Sequence, residues 1–116
     1  MINIEQIRTI ALSLPETTEE PHFEKTSFRI KKKIYATFDQ KTNRVALKLS
    51  QVDQDVFSSA PGRAIYPLPN KWGKQGWTQV EMSKVNKALF TDALTTAYCE
   101  VAPQKLAAQV RQIKAE

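Results

Sequence analysis

The fold of this chain is decided by a basic segment with alternating apolar positions, Phe28-Arg29-Ile30-Lys31-Lys32-Lys33-Ile34-Tyr35. Successive side chains of a β-strand point to opposite faces of a sheet, so this period of two predicts a strand on each side of a tight lysine turn. The alternation continues through Ile34, Ala36 and Phe38 and, after a second turn, through Val45, Leu47 and Leu49. These runs predict three antiparallel strands with one buried face and one open face.

Helical patterns surround the predicted strands. Asn3 and Gln6 have the spacing of a capping box and predict the start of a first helix that ends at Pro15. Residues 16–25 are polar and are interpreted as a connection. After the three strands we expect a short helix from Ser50, an edge strand in residues 63–68, a strand in residues 77–82, a helix in residues 84–101 and a last helix beginning at Pro103.

The predicted order is therefore α-β-β-β-α-β-β-α-α. It indicates an α+β protein in which helices cover one face of an antiparallel sheet of about five strands. A chain of 116 residues with 41% hydrophobic residues forms a single domain, here residues 1–116.

The composition favours a reducing compartment and a soluble protein. Cys99 is the only cysteine, and its apolar surroundings favour a small buried side chain over a nucleophile. No apolar run approaches the roughly 18 residues of a membrane span, and the first residues do not resemble a signal peptide. We expect a cytoplasmic protein, with a monomer favoured and no membrane partner.

Positive charge is concentrated in residues 25–48, which contain eight basic residues and one acidic residue. With the strands' apolar positions facing the helices, cations and aromatic rings lie on the open face and in the turns, an arrangement that suits DNA or another polyanion. The candidate nucleic-acid-binding residues are Arg29, Lys31, Lys32, Lys33, Tyr35, Lys41, Arg44, Lys48, Lys71, Lys74 and Trp77. The alternative is that these lysines are solvated charges that prevent edge-to-edge association of sheets.

No arrangement of residues typical of catalysis is present. His22 is the only histidine, so neither a catalytic triad nor a histidine-rich metal site is expected, and no cofactor is predicted. The loop from Asn70 to Trp77 contains two lysines and two tryptophans but lacks the spacing of a phosphate-binding loop. Its tryptophans either contact a ligand or pack against the sheet. We predict a protein without enzymatic activity.

Several short motifs resemble the MmcQ/YjbR family of small bacterial proteins. They are Pro21-His22-Phe23, Phe28-Arg29-Ile30, Lys33-Ile34-Tyr35-Ala36-Thr37, Gly76-Trp77-Thr78 and Ala102-Pro103-Gln104-Lys105-Leu106. The resemblance implies a frataxin-like (CyaY-like) two-layer α/β sandwich and a "double-wing" DNA-binding role, with wings at the turns around Lys31-Lys32-Lys33 and Lys41–Arg44. Frataxins use an acidic first helix for iron. Here that helix carries only Glu5, so iron delivery is not expected.

Two alternatives to DNA binding stay open. The family-like motifs bring together a possible pocket for a small molecule or an anion, formed by His22, Arg29, Lys33 and Trp77. The open face is otherwise a docking surface for an acidic protein partner.

Overall fold

The computed structural model describes residues 2–115, and their side chains as far as residue 112. The helices are α1 (Ile4–Leu12), α2 (Gln51–Ser58), α3 (Lys71–Lys74), α4 (Lys87–Val101) and α5 (Gln104–Ala115). The strands are β1 (Thr17–His22), β2 (Lys25–Ile30), β3 (Lys33–Asp39), β4 (Arg44–Lys48), β5 (Ile65–Pro67) and β6 (Trp77–Glu81). No helix among the described residues is long and apolar enough to cross a membrane.

The strands form one antiparallel sheet in the order β1-β2-β3-β4-β6-β5. Helix α4 packs on β3 and β4, while α1 and α5 contact α4. Apolar side chains between these helices and the sheet form the core, and among the largest fully buried ones are Phe28, Leu47, Val80 and Phe90. The predicted α+β class is confirmed.

Two elements differ from the prediction. Residues 16–25 were expected to be a connection, but Thr17–His22 forms the edge strand β1, paired with β2 from Thr17↔Ile30 to His22↔Lys25. The sequence of β1 is polar because none of its side chains is fully buried, and Pro21 is tolerated in an edge strand. The loop after Pro69 contains the short helix α3, which Asn70 caps by accepting a hydrogen bond from the Trp72 amide. The sheet therefore has six strands instead of about five.

A β-bulge in β3 changes which side chains face the core. Phe28 pairs with Ala36, but the next residue of β2, Arg29, pairs with Ile34, so Tyr35 is an extra residue in β3. The prediction that Tyr35 lies on the open face is therefore wrong, since its side chain is fully buried. Ile34, predicted in the core, is the cross-strand partner of Arg29 and lies on the open face.

The buried Tyr35 links strand β3 to strand β1 and to helix α4. Its ring packs edge-on against Tyr98 of α4, with 5.5 Å between ring centroids, and its hydroxyl lies 3.1 Å from the Thr17 hydroxyl of β1. The Tyr98 hydroxyl donates to the Pro15 carbonyl at 2.8 Å. Burial raises the pKa of Tyr35, so the phenol stays neutral even at alkaline pH.

We expect Tyr35→Ala to lower the free energy of unfolding by about 3–5 kcal/mol, because it leaves a cavity between β3 and α4. Tyr35→Phe keeps the ring and loses about 1 kcal/mol with the hydroxyl interaction. Urea denaturation measures both changes. Tyr66→Ala is the matched control, since Tyr66 is a half-buried tyrosine paired with Gln79 on the open face. Equal losses for Tyr35→Ala and Tyr66→Ala would contradict this placement of Tyr35.

Candidate functional site

The open face of the sheet carries a groove of about 350 Å³. Its lining residues are His22, Lys25, Ile34, Thr37, Ala46, Leu68, Trp72 and Trp77. The floor crosses the sheet from Thr37 to its cross-strand partner Ala46, and Ile34 joins the floor because of the bulge. We call this site the tryptophan groove.

Two tryptophans form one wall of the tryptophan groove. Trp77 of β6 is half-buried and pairs with Lys48 across the open face. Trp72 of α3 is 48% exposed, and the Lys71 ammonium lies 5.7 Å from the centre of its ring. Lys48 donates from Nζ to the Gln75 carbonyl at 2.6 Å, so a second cation lies on this side.

Close backbone approach holds α3 against the sheet edge. A Cβ at Gly73 would lie 1.9 Å from the Leu68 carbonyl oxygen, which excludes any larger residue unless α3 moves. Gly76 has a φ of +104°, and a Cβ there would lie 1.9 Å from the Leu49 carbonyl oxygen. The glycines of the loop therefore determine where Trp72 and Trp77 stand.

A buried amide fixes the same loop from the other side. The side-chain Nε2 of Gln54 in α2 donates to the Gly73 carbonyl at 2.9 Å and to the Thr78 hydroxyl at 3.1 Å, and it lies 3.3 Å from the Trp77 carbonyl. Gln54 is almost fully buried, so loss of this amide would leave buried acceptors without their donor.

The opposite wall is formed by the hairpin between β1 and β2. His22 and Lys25 are a register pair at its end, and both line the tryptophan groove. Phe23, in the turn between them, is 94% exposed and has a φ of +58°. Its ring packs edge-on against the His22 ring at a centroid distance of 4.9 Å.

Of the pocket predicted from the sequence, only part comes together. His22 and Trp77 line the tryptophan groove, whereas Arg29 and Lys33 do not. Arg29 lies on the open face, where its Nε donates to the Ser27 hydroxyl at 2.9 Å and lies 3.9 Å from Glu20. Lys33 pairs with the buried Ile30, so the register places it toward the helix-covered side, and its predicted position on the open face is wrong.

The predicted wings are exposed turns whose charges are partly neutralised. Lys31 and Lys32 form a two-residue turn with φ values of +51° and +69°. Ion pairs join Lys31 to Glu16 at 2.7 Å, Lys41 to Glu24 at 3.0 Å and Arg44 to Glu81 at 3.8 Å. Among the described residues Lys32 and Lys33 form no ion pair with a carboxylate.

The sequence placed Phe23 beside the alternative pocket as part of Pro21-His22-Phe23, but it did not single out Lys25, Ile34 or Leu68 as site residues. Leu68 and Lys25 enter the site through tertiary packing, and Ile34 enters through the bulge. The exposed phenylalanine after Pro21-His22 was the one local signal available. Within residues 2–115, no three His, Cys, Asp or Glu side chains are grouped so that they could hold a metal ion.

A model of the YjbR family matches residues 12–100, which is most of the chain and includes every residue that lines the tryptophan groove. The chain belongs to the YjbR family. No curated protein matches it.

Two solved structures have the same fold as this YjbR-family chain. One is a Deinococcus radiodurans protein described as a DUF419 domain, with a TM-score of 0.74 and 24% identity, over 87% of this chain and 79% of that one. The other is a Pseudomonas syringae protein with a TM-score of 0.67 and 17% identity, over 86% of this chain and 99% of that one. At these identities the similarity shows the fold alone. The frataxin-like name for the sandwich stays a prediction.

We expect Gln54→Leu to lower the free energy of unfolding by about 1–3 kcal/mol. The variant leaves the buried Gly73 carbonyl and Thr78 hydroxyl without the Gln54 donor. The loop should also loosen, and acrylamide should quench the tryptophan fluorescence more strongly. Gln51→Leu is the matched control, since Gln51 of the same helix bonds the Lys74 carbonyl at the exposed surface. If the two variants lost the same stability, Gln54 would not be the anchor of the loop.

Proposed function

We propose that this protein binds nucleic acid without catalysing a reaction and that the tryptophan groove is the centre of the interaction. The observation that carries the proposal is the half-exposed Trp72 beside Lys71, opposite Lys25, at a groove on the open face. Aromatic rings that accept bases, set among cations that accept phosphates, are the usual means by which a protein holds a nucleic-acid strand.

The distribution of unpaired charge supports this position for the binding site. Among the described residues Lys25, Lys71 and Lys74 form no ion pair with a carboxylate. Arg29 and Arg44, also on the open face, lie beside Glu20 and Glu81. On the open face, therefore, the cations without a carboxylate partner lie beside the tryptophan groove. Lys32 and Lys33 at the hairpin turn are additional partners for phosphates.

Binding of this kind depends on salt and only weakly on sequence. Lysines that bind phosphates release condensed counterions, and such interactions position a protein without reading bases. The net charge of +5 adds a general attraction to polyanions.

The second candidate is a small anionic ligand that carries a ring. The volume of about 350 Å³ lies at the lower end of the roughly 300–1,000 Å³ range of small-molecule sites, and His22 and Trp77 both line it. If the ligand is such a small molecule, it should bind in the tryptophan groove by itself. The affinity for oligonucleotides should then not increase with their length.

We expect a variant with Lys25→Glu, Lys71→Glu and Lys74→Glu to bind labelled oligonucleotides at least roughly 10-fold more weakly than wild type in fluorescence anisotropy at low salt. The slope of log K against log salt concentration should become shallower by about 0.7–0.9 for each phosphate that the variant no longer neutralises.

The matched control reverses three exposed cations of the helix layer, Lys87→Glu, Lys105→Glu and Arg111→Glu. It changes the net charge equally but leaves the open face intact, so its salt slope should stay close to that of wild type. If both variants weakened binding to the same extent, net charge alone would explain the affinity and the proposed site would be wrong.

A further inference from the structure

We infer that the ligand is a single strand with one unpaired base inserted into the tryptophan groove and Phe23 against the neighbouring base. This inference rests on the proposed function and specifies its ligand as single-stranded. It is carried by the shape of the tryptophan groove, the positions of the cations on its two sides and the exposure of the Phe23 ring.

The tryptophan groove suits the face of a ring better than the edge of a duplex. Ile34 and Ala46 give it an apolar floor, while Trp72 and Leu68 stand at its side. Bases in a duplex cover one another's faces, and only an unpaired base offers a free ring to such a surface. Thr37 and His22 are the polar side chains available to the edge of that base.

Cations lie on both sides of the tryptophan groove. Lys25 lines it at the end of the β1–β2 hairpin, while Lys48 and Lys71 lie beside the two tryptophans on the other side. A nucleotide inside a strand has a phosphate on each side of its base. The two-sided charge therefore complements an internal nucleotide better than a free mononucleotide, whose charge lies on one side only.

Phe23 is an exposed aromatic residue in the two-residue loop of the β1–β2 hairpin, beside the tryptophan groove. Its ring is 94% exposed and packs against the His22 ring, and its φ of +58° is an outlier for a bulky side chain. Glycine or asparagine would adopt this backbone at lower cost, and a polar residue would suit the exposure. The positive φ belongs to the two-residue hairpin loop, which requires it at its first residue. The feature that points to a ligand is therefore the exposed aromatic ring beside the tryptophan groove, which offers a base a stacking surface.

The test compares three labelled ligands of equal length with the wild-type protein: an oligo-dT strand, the same strand with abasic sites, and a duplex. Fluorescence anisotropy at one low salt concentration gives the affinities. We expect the strand with bases to bind at least roughly 30-fold more tightly than the abasic strand, because each of the two stacked bases contributes roughly 5- to 150-fold. Its binding should also quench the tryptophan fluorescence.

Substitutions of Trp72 and Phe23 test how much each aromatic ring contributes to the affinity for the strand. Trp72→Ala should lose roughly 5- to 150-fold in affinity for the intact strand, and should still bind it more tightly than wild type binds the abasic strand because Phe23 keeps its base. Phe23→Gly should lose affinity while its Tm stays unchanged or rises, because glycine relieves the strained turn, and Phe23→Tyr should keep both affinity and Tm. Loss of affinity with a lowered Tm in Phe23→Gly would show a structural role and overturn the assignment of Phe23.

The outcomes separate the two proposals. Equal binding of all three ligands, weakened by Lys25→Glu but not by Trp72→Ala, would overturn the inserted base and leave the proposed function standing. No binding of any of the three at low salt would overturn the proposed function itself. Displacement of the strand by dTMP at an affinity equal to that of the strand would show that the ligand is a mononucleotide and overturn the single-strand assignment.

Discussion

The extra residue in β3 is the constraint on which the rest of the structure depends. Because Tyr35 is inserted between the partners of Phe28 and Arg29, its ring enters the core and packs edge-on against Tyr98 of α4. The same insertion turns Ile34 to the open face, where it becomes part of the floor of the tryptophan groove. The bulge therefore places Tyr35 in the core between the sheet and α4, and it places the apolar Ile34 on the open face.

The second wall of the tryptophan groove depends on a loop that is held in place through its backbone. Gly73 allows α3 to approach the Leu68 carbonyl, and Gln54 of α2 bonds the carbonyl of Gly73 and the hydroxyl of Thr78. Trp72 remains 48% exposed despite the rigidity of this support. A half-exposed tryptophan next to lysines, on a loop whose backbone is fixed by these contacts, is the surface that the proposed function requires.

The sequence predicted the class of the fold and several elements well, because capping and alternation are local signals. The Asn3–Gln6 capping box and the alternation of β4 and β6 are found as predicted. The bulge could not be predicted, because an unbroken period of two places Tyr35 and Ile34 on the wrong faces. The edge strand β1 was missed because its polar sequence lacks the buried alternation that identifies strands. For the site, the aromatic and basic residue types were identified, but Lys25, Leu68 and Ile34 join it only through tertiary packing and register.

A titration of the 15N-labelled protein with an unlabelled oligo-dT strand, followed by nuclear magnetic resonance, tests whether nucleic acid binds at the tryptophan groove. We expect the largest shifts at the indole N–H signals of Trp72 and Trp77 and at the amides of Thr37 and Ala46, which line the tryptophan groove. Shifts confined to the amides of Lys31, Lys32 and Lys33 would place the binding site at the hairpin turn and would contradict a site on the open face.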